Sequence, residues 1–331
     1  MSAAGRQLYR IHGLLVESEV PLQAVPGDAN GAAAAAPDYH LRVGDPVECP
    51  PSPPPGRLLG GFGDETFAYW VTQDEDDAGR WTIRYAGICQ AVIDRGERSM
   101  TVHGAVGGDP DMIPVFVEGS LLAHVLAAEG LLAIHASAVE WGGAALALVG
   151  PSGMGKSTLA ALLCSAGARL VADDALRVDV AGGIATCFPG SRRLRLRTAA
   201  APLGRAMEGA ALTETADGRT AVRPARLVDA PLPLRAALLP EPSREVTRLE
   251  VQRLGAVEAV QELLSYPRLT RWESAEQIGT LFRLTADVAA AVPVYRATVP
   301  WGPPFPHGLA EELLAGVGLD AAGAAGRRES A

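Results

Sequence analysis

The eight residues GPSGMGKS, Gly150 to Ser157, constrain this chain more than any other stretch. Glycines at 150, 153 and 155 let the backbone turn tightly and bring amide N–H groups close to an oxyanion, an approach that side chains would obstruct. An apolar run, AALALV, precedes them, and STLAALLCSA follows with Gly167 placed to end a helix. Strand, glycine loop and helix in that order predict an α/β unit with a phosphate-binding loop. Gly150, Pro151, Ser152, Gly153, Met154, Gly155, Lys156, Ser157 and Thr158 are then the residues expected around a nucleotide's phosphates. Lys156 is expected to reach the terminal phosphates, and Ser157 to offer its hydroxyl to Mg2+.

The chain next reads RLVADD. A strand over 169–172, reached through a helical crossover, is expected parallel to the strand before the loop, so Asp173 and Asp174 emerge at the same sheet edge. Two carboxylates there can divide labour, one holding magnesium and the other orienting a nucleophilic hydroxyl and taking its proton. Their mutual repulsion would raise one pKa. The plainer reading is a polar cap or turn. Upstream, LLAIHASAVE and AALALVG read as a hairpin. With its turn centred on Trp141 and Gly142, His135 falls opposite Leu148, near the loop, where an imidazole can contact a phosphate or hold an aspartate. A purely structural histidine is the alternative. In SRRLRLRTAA, Arg193, Arg195 and Arg197 alternate with Leu194 and Leu196. That pattern suits binding of phosphate or an acidic peptide, and equally a solvated strand face.

Ahead of this region, YRIHGLLVES, DYHLRVG, FAYWVTQ, RWTIRYAG, QAVIDRG and MTVHGAV alternate with turns, predicting an antiparallel, β-rich N-terminal unit. The divisions expected are a β-rich domain over 1–116, an α/β domain over 117–315 and a disordered tail over 316–331. QDEDDAG reads as a solvated turn, and His124, within the helical pattern EGSLLAHVLAAE, as a packing or surface residue. After 175 come a strand hairpin in VDVAGGIATCFPG, Pro-bounded loops and a hydrophobic-to-basic run around LVDAPLPLRAALLP, helices in EAVQELLSY and AEQIGTLFRLTADVAAAV, and a strand in PVYRATVP. A net charge of −9 disfavours a nucleic-acid partner. With neither a signal-peptide pattern nor about 18 uninterrupted apolar residues, the expectation is a cytoplasmic protein without a membrane partner. Cys49, Cys89, Cys164 and Cys187 lack metal-site spacing and are expected as reduced thiols.

From Ile134 to Asp174 the order of histidine strand, phosphate loop and Asp-Asp pair resembles bacterial HPr kinase/phosphorylase. YRIHGLLVESEVPL, IHASAVEWGG, FPGSRRLRL and AVPVYRATVP are similar to HPr-kinase-related proteins of lasso peptide biosynthesis. The likeness does not extend to the glutamate-containing segment that follows the aspartates in HPr kinase, where this chain has FPGSRRLRL. The resemblance implies an HPr kinase/PEP carboxykinase-like P-loop kinase domain. It implies ATP and Mg2+ as cofactors and a serine hydroxyl, the C-terminal serine of a precursor peptide, as acceptor. Asp173 would be the general base and Asp174 would sit near magnesium with Ser157. Lys156 would serve phosphate, and His135 would support the base or a phosphate. Peptide and ATP are the expected partners, with a second copy of the chain a candidate. Rival readings are an HPr-type or free-serine kinase, a motor or switch ATPase, and a non-catalytic nucleotide sensor. No LSGGQ-like signature of transporter motors is found.

Overall fold

Alternating buried and exposed side chains set the character of the N-terminal third. The computed structural model describes residues 6–27, 36–64, 67–269 and 271–319. The chain divides into two compact units, one of 1–133 with 215–217 and 268–283, the other of 134–214, 218–267 and 284–331.

In the first unit, strands β1 (Gln7–Ile11), β2 (Leu14–Ser18), β3 (Val25–Pro26), β4 (Tyr39–Val47), β5 (Arg57–Gly63), β6 (Ala68–Gln73), β7 (Arg80–Tyr85), β8 (Cys89–Asp94) and β9 (Ser99–Ala105) form one sheet. Its order is β3-β1-β2-β4-β9-β8-β7-β6-β5. The antiparallel expectation needs one correction, because β4 runs parallel to both neighbours, β2 and β9. Each of those pairings is closed by a long connection, which a parallel pair requires. Strand β5 was not anticipated, since RLLGGFG lacks alternation. Helix α1 (Met112–Phe116), a π-helical turn (Val117–Leu121) and α2 (Leu122–Ala128) follow. Ile113, Val117, Leu121, Leu122 and Val125 join Ile83, Ile93 and Val102 in the core of this sheet. This burial explains why the division falls at 133/134 and not at the 116/117 drawn from the sequence.

The second unit follows a two-residue strand, β10 (Ala133–Ile134), and carries β11 (Ala136–Trp141), β12 (Ala144–Val149), α3 (Lys156–Ser165), β13 (Arg169–Ala172), β14 (Leu176–Ala181), β15 (Ile184–Cys187), β16 (Leu194–Leu196), α4 (Ala201–Ala206), β17 (Ala211–Glu214), β18 (Thr220–Arg223), β19 (Leu232–Ser243), β20 (Glu250–Arg253), α5 (Ala256–Ser265), α6 (Ala275–Ala291), β21 (Val294–Pro300) and α7 (Leu309–Gly316); α6 is divided between the units at residue 283. The main sheet runs β14-β15-β19-β12-β11-β13, with β21 also on β19 and β20 on β21, while β16-β18-β17 form a small separate sheet. LPLRAALLPEPS, whose first part reads in the sequence as a hydrophobic-to-basic run with no element assigned, is the sheet's central strand β19. Pro240 and Pro242 lie beyond Leu238, where pairing to β12 ends, so their missing N–H groups leave that ladder intact.

Every residue of β12 is buried, and Leu159 and Leu163 of α3 pack with Leu146, Leu148, Leu194, Leu196, Leu309 and Leu313 in one core. Val317 and Leu319 belong to the same core, so the expected tail begins as ordered structure; residues from 320 lie outside the described ones. The four cysteines are free and buried. Among the described residues, no helix is long and apolar enough to cross a membrane.

Candidate active site

Topology brings three chain points to one sheet edge. Strand β11 is antiparallel to both β12 and β13, so β12 and β13 run the same way and end together where β11 begins. The expected parallel direction of β13 is therefore present, although β11 lies between it and β12. Residues 150, 173 and 135 meet at this edge. The hairpin turn is Gly142-Gly143, both with positive φ (61° and 87°), as a two-residue turn matched to strand twist requires. Trp141 instead pairs with Ala144 as the last strand residue. This corrects the register anticipated for His135: Leu148 faces Ser137, and Val149 faces Ala136. His135 thus lies just past the ladder, alongside the start of the glycine loop.

The loop itself adopts backbone that glycine favours, with φ of 151° at Gly150, 94° at Gly153 and 81° at Gly155. Gly155 caps α3, a ten-residue helix whose N-terminal N–H groups face the loop. Lys156 is buried, and its Nζ donates to the Pro151 carbonyl at 3.0 Å, folded over the loop. Arg197 reaches the loop from after β16, its guanidinium 3.4 Å from Ser152 Oγ. Met154 is exposed.

The two aspartates have opposite surroundings. Asp173 is 3% exposed. Its Oδ1 accepts from Ser157 Oγ at 2.8 Å and from Ser137 Oγ, and its Oδ2 accepts from the Arg195 backbone N–H at 2.9 Å. Burial pushes its pKa up, while the hydrogen bonds oppose that rise and Asp174 adds to it. Asp174 adopts a left-handed φ of 71°, which a short polar residue tolerates. Its carboxylate is directed to different partners. It lies 3.3 Å from His135 Nε2 and 4.0 Å from Arg195, with its side chain 24% exposed.

Most of the residues singled out in the sequence are therefore gathered here: the loop, Lys156, Ser157, both aspartates, His135 and Arg195. Arg193 makes no ion pair among the described residues, and Leu194 and Leu196 on either side of Arg195 are core. Ser137 was missed. The available signal was alternation, since two residues beyond His135 a strand presents the same side again.

The oxygen donors suit a hard cation. Ser157 and Asp173 are in hydrogen-bond contact, and among the described residues no three His, Cys, Asp or Glu side chains are arranged to hold a metal ion by themselves. Such a cation would draw its remaining ligands from phosphates and water, as Mg2+ does.

No family model matches this sequence, and no curated protein matches it. Among solved structures, the Hpr(Ser) kinase/phosphatase from Coxiella burnetii aligns with a TM-score of 0.27 and 12% identity, covering 56% of this chain and 93% of that one.

Proposed function

We propose that this chain is an ATP-dependent kinase that phosphorylates a serine hydroxyl, the C-terminal serine of a lasso precursor peptide being the acceptor that the sequence resemblance favours. The observation that carries the reading is the pair Asp173-Asp174, split between a buried carboxylate joined to the loop serine and an accessible one held by an imidazole.

The geometry favours exchanging the roles anticipated for the two aspartates. Asp173, enclosed and hydrogen-bonded through both oxygens, is suited to holding Ser157 and a magnesium ion's water shell. Asp174 is suited to meeting an incoming hydroxyl and accepting its proton, with His135 fixing its orientation. Bound magnesium would offset negative charge on the nucleotide phosphates. The loop amides and Lys156 would hold the β- and γ-phosphates, and Arg195, 4.0 Å from Asp174, would help to fix that carboxylate in place. Transfer then rests on alignment and electrostatics supplied by fixed groups.

Incubating the protein with γ-labelled ATP, magnesium and a serine-ended precursor peptide tests this by mass spectrometry, with free serine and HPr in parallel reactions. Label on the peptide alone is the expected result. Label on free serine or HPr would redirect the acceptor assignment, and hydrolysis or intact ATP with every acceptor unlabelled would remove the kinase reading.

A further inference from the structure

Strand β11 reads ASAVEW, and Ala136, Ser137, Ala138 and Val139 are all fully enclosed. A hydroxyl in such a strand costs stability unless it is paired, because burying an unbonded hydroxyl forfeits its hydrogen bonds to water. Alanine would fill the same position without that requirement. The hydroxyl of Ser137 donates to Asp173 Oδ1, the same oxygen that receives Ser157 Oγ, and the two serine oxygens stand 3.5 Å apart. Asp173 is thus gripped from two sides, by the loop-helix serine and by a strand serine rooted in the hairpin.

Resting on the nucleotide reading above, we propose that Ser137 is a positioning residue for the metal side of the site: its hydroxyl fixes Asp173 in the one orientation that presents Ser157 to the divalent cation accompanying the nucleotide. Ser157 has a single proton and gives it to Asp173, which leaves its lone pairs for a cation. Without Ser137, Asp173 keeps Ser157 on Oδ1 and the Arg195 amide on Oδ2, and its carboxylate is held less firmly against the loop. The loop amides and Lys156 are untouched by that change, so phosphate contacts made without metal should persist.

The experiment is calorimetric titration of ADP and of a non-hydrolysable ATP analogue into the full chain, with magnesium and with EDTA, for wild type, Ser137→Ala and Ser137→Cys, alongside thermal melts. Loss of a group that orients a metal ligand typically costs about 10–100-fold in metal affinity. In both variants the affinity gained on adding magnesium should fall by about tenfold or more, while affinity in EDTA stays within about twofold. Cysteine preserves volume with only a weak donor, so it carries the test if alanine leaves too loose a fold. An unchanged magnesium gain in a folded variant overturns the role of Ser137 and leaves the nucleotide reading standing. A wild type that binds neither nucleotide, or gains nothing from magnesium, overturns both.

Discussion

Asp173 and Asp174 are chemically identical neighbours, and their environments separate them. Desolvation acts on the first, whose carboxyl is held above the usual range by burial; the second keeps an imidazole and access to solvent. Asp174→Asn should therefore lower phosphoryl transfer by about 10²–10⁴-fold, the usual contribution of a positioned base. Nucleotide affinity in magnesium should stay within about threefold, since the metal-side contacts remain; single-turnover kinetics and calorimetry check the two halves separately. His135→Gln should cost less, about tenfold, because the carboxylate survives with a poorer anchor. A Asp174→Asn variant transferring at the parental rate would return the base assignment to Asp173. At this scale residue type and spacing singled out the loop, the two aspartates and His135, which the fold gathers at one sheet edge. The sequence was silent about which aspartate is enclosed, because enclosure is created by Ser137 and the Arg195 backbone, 36 and 22 residues away in the chain.

Elements set those distances, and the hairpin is the one on which the site turns. Gly142 and Gly143 supply the two left-handed positions, so register, and with it the place of His135, depends on residues remote from the chemistry. Gly142→Asn should be nearly neutral, whereas Gly142→Val should destabilise by about 1–2 kcal/mol, the cost of left-handed backbone in an L-residue; thermal melts distinguish them. The sequence revealed the hairpin but misplaced its turn by one residue, a slip that the pairing ladder resolves. Strand β19 was hidden more deeply, because its prolines argue against a strand unless one knows where its neighbour stops. In the first unit, α2 buries His124 completely, with Nδ1 donating to the Ser120 carbonyl at 2.9 Å and Nε2 without a partner among the described residues. Desolvation lowers its pKa to about 4 from 6.5. The unfolded chain then binds a proton below about pH 6.5 that the folded one refuses until about pH 4, so stability is lost as pH falls across that window. The loss reaches about 3 kcal/mol at its lower end. His124→Phe should flatten this dependence, read by hydrogen exchange in β7–β9 at pH 7 and 4.5 so that the first unit is followed by itself.

At the scale of the whole chain, the two units each own a core, and neither is one continuous stretch of sequence. That interleaving is what local periodicity cannot reveal. Helix patterns around 118–129 were legible, but their allegiance to the N-terminal sheet follows from which apolar face finds a partner. The C-terminal end makes the same point energetically. Leu309, Leu313, Leu314, Val317 and Leu319 are each under 10% exposed and belong to the core beneath α3 and the main sheet. Burying such side chains contributes roughly 1.5–3 kcal/mol apiece, on the order of 10 kcal/mol for the five, against a total stability of about 5–15 kcal/mol for an ordinary domain. A chain ending at residue 308 should therefore fail to fold its second unit and lose nucleotide binding, while one ending at 319 keeps all five contacts. Near-ultraviolet circular dichroism and nucleotide titration of the two truncations measure this. A chain ending at 308 that melts cooperatively at the full-length temperature would show that the core beneath α3 closes without α7.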